Sequence, residues 1–212
     1  MTTPNTCLYN VAVIKQIEAD HSAANPKTAL MQLAGDCVAD MVLQLLKPQQ
    51  STTVLVLAGP GNNGGDAWVA AEALRKAKIS VTVLALGEPA WTEKAAQQAY
   101  TSFNANHGTV VKAWPKSSTF AVVVDGLFGT GLGKPPSGAF ADVIRLCNAE
   151  RAAGNCVVLA IDVPSGLNAD TGVAYEPTIV ADHTLTFIGA KPGLFTHDGK
   201  DFAGLVTTEP LG

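Results

Sequence analysis

Asn62, Asn63, Asp125, Asp162 and Ser165 are polar residues set in apolar or glycine-rich surroundings. Asn62 and Asn63 sit in Gly59-Pro60-Gly61-Asn62-Asn63-Gly64-Gly65-Asp66 and offer two adjacent carboxamide oxygens on a stiff loop. Asp125 closes the apolar run 120–125, and Asp162 closes the run 156–162. A charge at the end of an apolar strand is costly unless it is paired or ligated. If these acids converge with Asn62, Asn63 and Ser165, the result is an all-oxygen cluster, which suits a hard cation. K⁺ and Mg²⁺ fit such a set equally well. The plainer alternative is that each aspartate merely caps a helix or turn.

Glycine supplies a second kind of chemistry. Gly59, Gly61 and Gly64 satisfy G-x-G-x-x-G between an apolar strand and a helix, where backbone N–H groups can receive an anion. The acidic residue that would bind a ribose at the end of the second strand is missing, since Glu88 lies too far along. A second run, Gly129-Thr130-Gly131-Leu132-Gly133-Lys134-Pro135, has the outline of a P-loop. It fails the test, because Phe128 replaces the first glycine and Pro135 the Ser/Thr. Phosphoryl transfer is disfavoured, but the clustered N–H groups can still hold an anion, with Lys134 adding positive charge.

These segments need elements to position them. Helical spacing is expected over 8–21 and 28–47, the second capped by Thr28, ahead of an alternating pattern. Strands are expected at 54–58, 80–86, 109–113, 120–125, 156–162, 183–188 and 204–207, and helices at 66–77, 91–105 and 140–153. Alternation of this kind predicts an α/β fold with a mainly parallel, doubly wound sheet. No repeat or linker interrupts it, so 1–212 reads as one domain. In such sheets ligands bind outside the carboxyl ends of the strands, where all three unusual segments fall.

Composition narrows the function. The chain has 212 residues, 47% hydrophobic and 15% charged, with net charge −4 and no Lys/Arg run. That argues against disorder and against a nucleic-acid surface. No apolar stretch reaches the ~18 residues of a membrane span. The N-terminus lacks the pattern of a secretory signal. Cys7, Cys37, Cys147 and Cys156 are scattered, which is expected of reduced, buried thiols in a cytoplasmic protein. The four histidines are dispersed and read as structural or exposed.

Taken together, Leu8-Tyr9-Asn10, Ala34-Gly35, the 59–66 segment, Val124-Asp125-Gly126-Leu127-Phe128-Gly129-Thr130-Gly131, Ala160-Ile161-Asp162-Val163-Pro164-Ser165-Gly166-Leu167-Asn168, Ala181-Asp182-His183 and Lys191-Pro192-Gly193-Leu194 resemble the NAD(P)HX epimerase family, the YjeF N-terminal domain. The likeness runs in order along nearly the whole chain. It implies a three-layer α/β/α Rossmann-like fold, usually a homodimer, that interconverts the R and S forms of NADHX or NADPHX. It also implies a bound K⁺ held by Asn63, Asp125 and Ser165. The nucleotide substrate would lie on Asn62, Asn63, Gly64, Gly65, Asp66, Gly129, Thr130, Gly131, Leu132, Gly133, Lys134, Pro135 and Asp162. Two departures are small: Ala67 stands where the family usually has Gly, and Gly126 where Ala is common. Trp68 is expected to narrow the pocket. Relatives are often fused to an ADP- or ATP-dependent dehydratase domain; this chain, ending at Gly212, would be a stand-alone protein or a fragment.

The substrate carbon C6 carries a hydroxyl beside ring nitrogen N1. Hydroxide can leave with help from the N1 lone pair and return on the other face. Asp162 is the candidate catalytic acid–base. A scaffold domain of the same fold is the alternative, disfavoured because the whole polar cluster is present. A dehydrogenase using NAD itself is disfavoured because no catalytic His or Tyr-x-x-x-Lys is evident.

Overall fold

The computed structural model describes residues 7–25, 29–46, 52–91, 93–115 and 119–211. Its centre is a run of β-branched and leucine residues, Thr53–Ala58 (β1), in which Val54 to Ala58 are essentially inaccessible to solvent. Burial on both faces is what a central parallel strand requires. Around it lie Ser80–Ala85 (β2), Thr109–Val111 (β3), Val122–Gly126 (β4), Val157–Ile161 (β5), His183–Phe187 (β6) and Leu205–Glu209 (β7). They form one seven-stranded sheet in the order β3-β2-β1-β4-β5-β6-β7. Every neighbouring pair is parallel.

The pleat divides the core into two layers. Val54, Val56 and Ala58 pack with Leu30–Leu45 (α2), Asn62–Lys76 (α3) and Lys94–Ala105 (α4). Leu55 and Leu57 pack against Ala139–Ala152 (α5) on the other face. The three-layer expectation therefore holds, and the sheet is wholly parallel. The helix Val11–Ala24 (α1) starts at Asn10, whose side chain accepts the Val13 N–H at 2.9 Å. Just before it, Leu8 bridges Ala190, and Tyr9 N–H donates to Ala190 O at 2.9 Å. A 3₁₀ turn, Pro192–Leu194, and a short helix, Gly199–Phe202 (α6), fill the connection from β6 to β7. Neither is evident from periodicity.

Element boundaries differ from the sequence pattern mostly by a few residues. The largest shift is informative. α3 begins at Asn62, not at Asp66, so the Asn-Gly segment is itself the first turn of the helix. The expected cap Thr28 lies outside the described residues. Trp68 does not line a pocket: it is 2% exposed, edge-on to Tyr100 and Phe103 at centroid distances of 4.9 and 5.7 Å. Of the cysteines only Cys147 is buried; Cys37 and Cys156 are half-buried and Cys7 is exposed.

Candidate active site

The order of strands places the site. The chain runs outward from β1 to β3, then returns to lay β4 on the other side of β1. The loops after β1 and β4 therefore diverge, and this switch point is where an open α/β sheet leaves a crevice. Their glycines fall into two groups. A Cβ at Gly59 would lie 1.9 Å from Leu127 O, and one at Gly64 would lie 1.9 Å from Gly59 O. These two let the loops and the start of α3 press together. Gly61, Gly131 and Gly133 face open space, with nothing within 4 Å of an added Cβ. No packing reason requires glycine there; a ligand approaching the backbone would.

Asn63, Asp125 and Ser165 meet around the loop after β4. Asp125 is 0% exposed. Its carboxylate accepts Ser165 Oγ at 2.7 Å, Ser165 N–H at 2.8 Å and Leu127 N–H at 3.2 Å. Burial pushes the Asp125 carboxyl up to about 6, although the Ser165 and Leu127 bonds oppose the rise. Ser165 Oγ also sits 2.9 Å from Phe128 N and 3.1 Å from Phe128 O. Asn63 Oδ1 lies 3.3 Å from where a Gly129 Cβ would stand, and its Nδ2 is buried without a partner among the described residues. A buried carboxylate with no cationic partner among the described residues, beside hydroxyl and amide oxygens, fits a monovalent cation such as K⁺.

Asp162 follows β5 in a left-handed conformation, φ 65°. Such a backbone is strained for a non-glycine residue and points to a functional position. Its Oδ1 accepts the Lys191 ammonium and Thr186 Oγ at 3.1 Å. Lys191 was not among the expected site residues, and it is 0% exposed. Its Nζ also donates to Thr186 Oγ at 2.9 Å and Phe187 O at 2.8 Å. Asp66 lies on the first turns of α3, within the electrostatic influence of Asp162, of Glu18 on α1 and of Glu93 at the start of α4. Burial first, then the like charge of Asp162, Glu18 and Glu93, pushes the Asp66 carboxyl well above the usual carboxylate range.

Asn62 is exposed beside the crevice, whereas Gly64 and Gly65 are buried, with a Cβ at Gly65 meeting Met31 Cε at 2.7 Å. Residues 129–135 form an irregular loop, half-buried through Thr130 and Leu132 and exposed at Lys134 and Pro135. Other motif residues are structural. Asp182 accepts Val158 N–H at 2.8 Å and pairs with Arg151 at 2.7 Å; Asn168 Oδ1 accepts Asp170 and Thr171 N–H at 3.0 and 2.9 Å. A separate cleft lined by Trp114, Phe120, Val123, Glu150, Asn155 and Cys156 lies near the amino ends of β4 and β5 and includes none of the candidate residues.

Fold and site define a parallel α/β protein with a glycine-lined crevice ending in a buried polar cluster. Residues 27–193 match the family described as YjeF-related protein N-terminus, and the chain belongs to that family. It is 37% identical over 205 residues to the NAD(P)H-hydrate epimerase of Achromobacter xylosoxidans, covering 96% of this chain and 95% of that one. The epimerase of Limosilactobacillus reuteri is 38% identical over 192 residues, with coverage of 85% and 83%. The bifunctional NAD(P)H-hydrate repair enzyme of Leishmania major is 40% identical over 190 residues, covering 87% of this chain but only 33% of the relative. This chain thus spans about a third of the length of that relative. The crystal structure of yeast ynu0 shares the fold, with TM-score 0.77, 23% identity and coverage of 95% of this chain and 87% of the yeast chain.

Proposed function

We propose that this chain is an NAD(P)H-hydrate epimerase that interconverts the R and S epimers of NADHX and NADPHX. The observation that carries the reading is the crevice itself. Its open glycines 61, 131 and 133 follow β1 and β4, and Asp162 follows the neighbouring β5, a carboxylate with one oxygen tied down and the other, Oδ2, without a partner among the described residues. The dinucleotide would lie along Asn62 to Asp66 and Gly129 to Pro135, with its phosphates facing backbone N–H groups. The hydroxyl on C6 would reach Asp162 Oδ2. There the carboxyl group can give a proton to the leaving oxygen as the C–O bond breaks and take one from water as the bond re-forms, help typically worth ~10²–10⁴-fold.

Asn63, Asp125 and Ser165, with Phe128 O, would hold K⁺, which when bound supplies positive charge to the buried carboxylate and fixes the loop after β4. No described helix is long and apolar enough to cross a membrane. We place the protein in the cytoplasm. Exposed Leu33 and Leu43 on α2 support the homodimer implied by the family likeness. The bifunctional Leishmania relative supports a working partnership with a dehydratase, fused or separate.

The test is a coupled assay. An S-specific dehydratase consumes half of a mixed pool of hydrates; adding this protein is expected to drive consumption of the R form as well. Asp162→Asn should lower turnover by about 10²-fold or more while dinucleotide binding persists. Near-normal turnover by that variant would remove Asp162 from the chemistry.

A further inference from the structure

The turn 188–190 brings Lys191 back onto the end of β6, where its ammonium donates to Asp162 Oδ1, to Thr186 Oγ at 2.9 Å and to Phe187 O at 2.8 Å. That turn is strained. Ile188 has φ 67°, a left-handed backbone that a β-branched residue rarely adopts. Such a conformation persists only where its surroundings impose it. Part of the hold is local: Ile188 N–H donates to Glu209 O at 2.8 Å, and Gly189 N–H to Phe187 O at 2.6 Å. The rest comes from the other end of the chain. Leu8 bridges Ala190, Tyr9 N–H donates to Ala190 O at 2.9 Å, and the Tyr9 ring sits on Gly189, where a Cβ would lie 2.3 Å from its Cδ2. Two residues on, Val11 N–H donates to Asp170 Oδ1 at 2.8 Å. Asp170 belongs to the loop after β5 that begins with Asp162, and Gly193 N–H ties that loop to the turn directly by donating to Ala169 O at 2.7 Å. The segment Leu8–Val11 thus holds both the stretch that carries the carboxylate and the stretch that carries its cation. Leu8 is 50% exposed, so backbone bonds and one ring, not deep burial, keep the segment in place.

Resting on the epimerase reading, we propose that Leu8–Val11 is a clasp that fixes Lys191 against Asp162, with Tyr9 as a positioning residue of the reaction. With the clasp closed, Lys191, Thr186 Oγ at 3.1 Å and Phe187 N–H at 3.4 Å meet one oxygen of Asp162. The carboxylate then cannot turn, and its Oδ2 keeps one direction for the C6 hydroxyl. With the Tyr9 ring gone, the turn 188–190 can relax the left-handed Ile188, and Lys191 is carried off the carboxylate. Asp162 is then free to rotate, while the glycine cradle that receives the dinucleotide is untouched. A misplacement of about 1 Å at a reacting group can cost about 10²-fold in rate, even when its cause lies away from the chemistry. The loss therefore falls on kcat and leaves KM nearly in place.

The experiment uses the full-length protein and purified R and S hydrates of NADPH, and records kcat and KM well below the Tm of each variant, with Tm itself alongside. Tyr9→Ala keeps the N–H and removes the ring; it is expected to lower kcat by about tenfold or more and to change KM by less than about threefold. Tyr9→Phe keeps the ring and should restore the wild-type kcat. Asp170→Ala opens the other end of the clasp; it should lower kcat in the same way, and serves where Tyr9→Ala does not fold. A segment that only stabilised the fold would lower Tm and leave the kcat of the folded enzyme unchanged. Because the clasp acts through the lysine, Tyr9→Ala combined with Lys191→Met should be no slower than Lys191→Met alone. Thr186→Val takes the place of Lys191→Met if that variant does not fold. Failure of the wild type to interconvert the hydrates overturns the epimerase reading and this inference with it. An active wild type with near-normal kcat in Tyr9→Ala, or in Asp170→Ala where the first variant is unfolded, overturns this inference alone. So do losses that multiply in the double variant, and a Tyr9→Phe as slow as Tyr9→Ala.

Discussion

Asn63 is pulled in two directions. Its backbone opens α3, while its side chain is buried against Gly129 with Nδ2 unpaired among the described residues. An unsatisfied buried amide costs about 1–3 kcal/mol, so a bound ligand that engages the amide would be expected to rigidify this corner. Asn63→Ala removes the amide oxygen from the proposed K⁺ set. The half-saturating K⁺ concentration for turnover should rise about tenfold, in line with the loss of one polar contact. A titration of activity with KCl at constant ionic strength reads this directly. An unchanged K⁺ response would take Asn63 out of the set.

At the level of elements, the contact between α3 and β4 explains two departures from the family pattern at once. A Cβ at Gly126 would lie 2.6 Å from the Ala67 methyl. There is room for one methyl at this crossing; here α3 carries it, whereas the usual family arrangement gives it to β4. Gly126→Ala alone should destabilise by about 1–3 kcal/mol, the usual penalty of overpacking. Combining it with Ala67→Gly should recover most of the loss, leaving only the closer approach to Asn63 O and Leu57 O at 3.0 and 3.1 Å. Denaturant unfolding of the two single variants and the double variant measures the coupling.

The same elements show where sequence reading succeeds and where it stops. The strand ends carrying Asn63, Asp125 and Asp162 were legible, because polar groups at the ends of apolar runs stand out and parallel strands bring those ends to one edge. The start of α3 was not. Gly64 and Gly65 have poor helix propensity, but the Gly59 backbone leaves no room for a side chain at 64, and at 65 one would have to displace the Met31 side chain, so packing overrides propensity. Lys191 was missed as a site residue: it stands in the 191–194 segment that carries the family likeness, but nothing in that segment alone gives it a partner. The available signal was its place after the apolar stretch 187–190, where a lysine must find a carboxylate.

For the molecule as a whole, stability depends on a clip between α3 and α4. Buried Glu72 accepts Arg75 Nε at 2.7 Å and Ser102 Oγ at 2.6 Å. Burial works to raise the Glu72 carboxyl, but the Arg75 and Ser102 bonds and the Arg75 and Lys76 charges prevail and hold it below its ordinary 4.5. With the folded value depressed, the folded state binds fewer protons. The stabilisation is therefore present above the unfolded value and is lost as pH falls through the folded one. Glu72→Gln should cost about 1–3 kcal/mol at pH 7. The gap in Tm between wild type and variant should narrow on acidification below about pH 4.5. A gap independent of pH would show that the charge plays no part.

The wholly parallel sheet also has a temporal consequence. The crevice takes one wall from residues 59–66, a second from 125–135 and its lysine clamp from position 191, and β7 then covers the outer side of β6. A chain emerging from the ribosome can assemble β1 to β4 early, yet Asp162 must wait for its cationic partner until residue 191 has been made. Competence in this protein would therefore be acquired only once β6 and Lys191 have emerged, and a product cut short before Lys191 would carry the glycine cradle with its carboxylate unclamped.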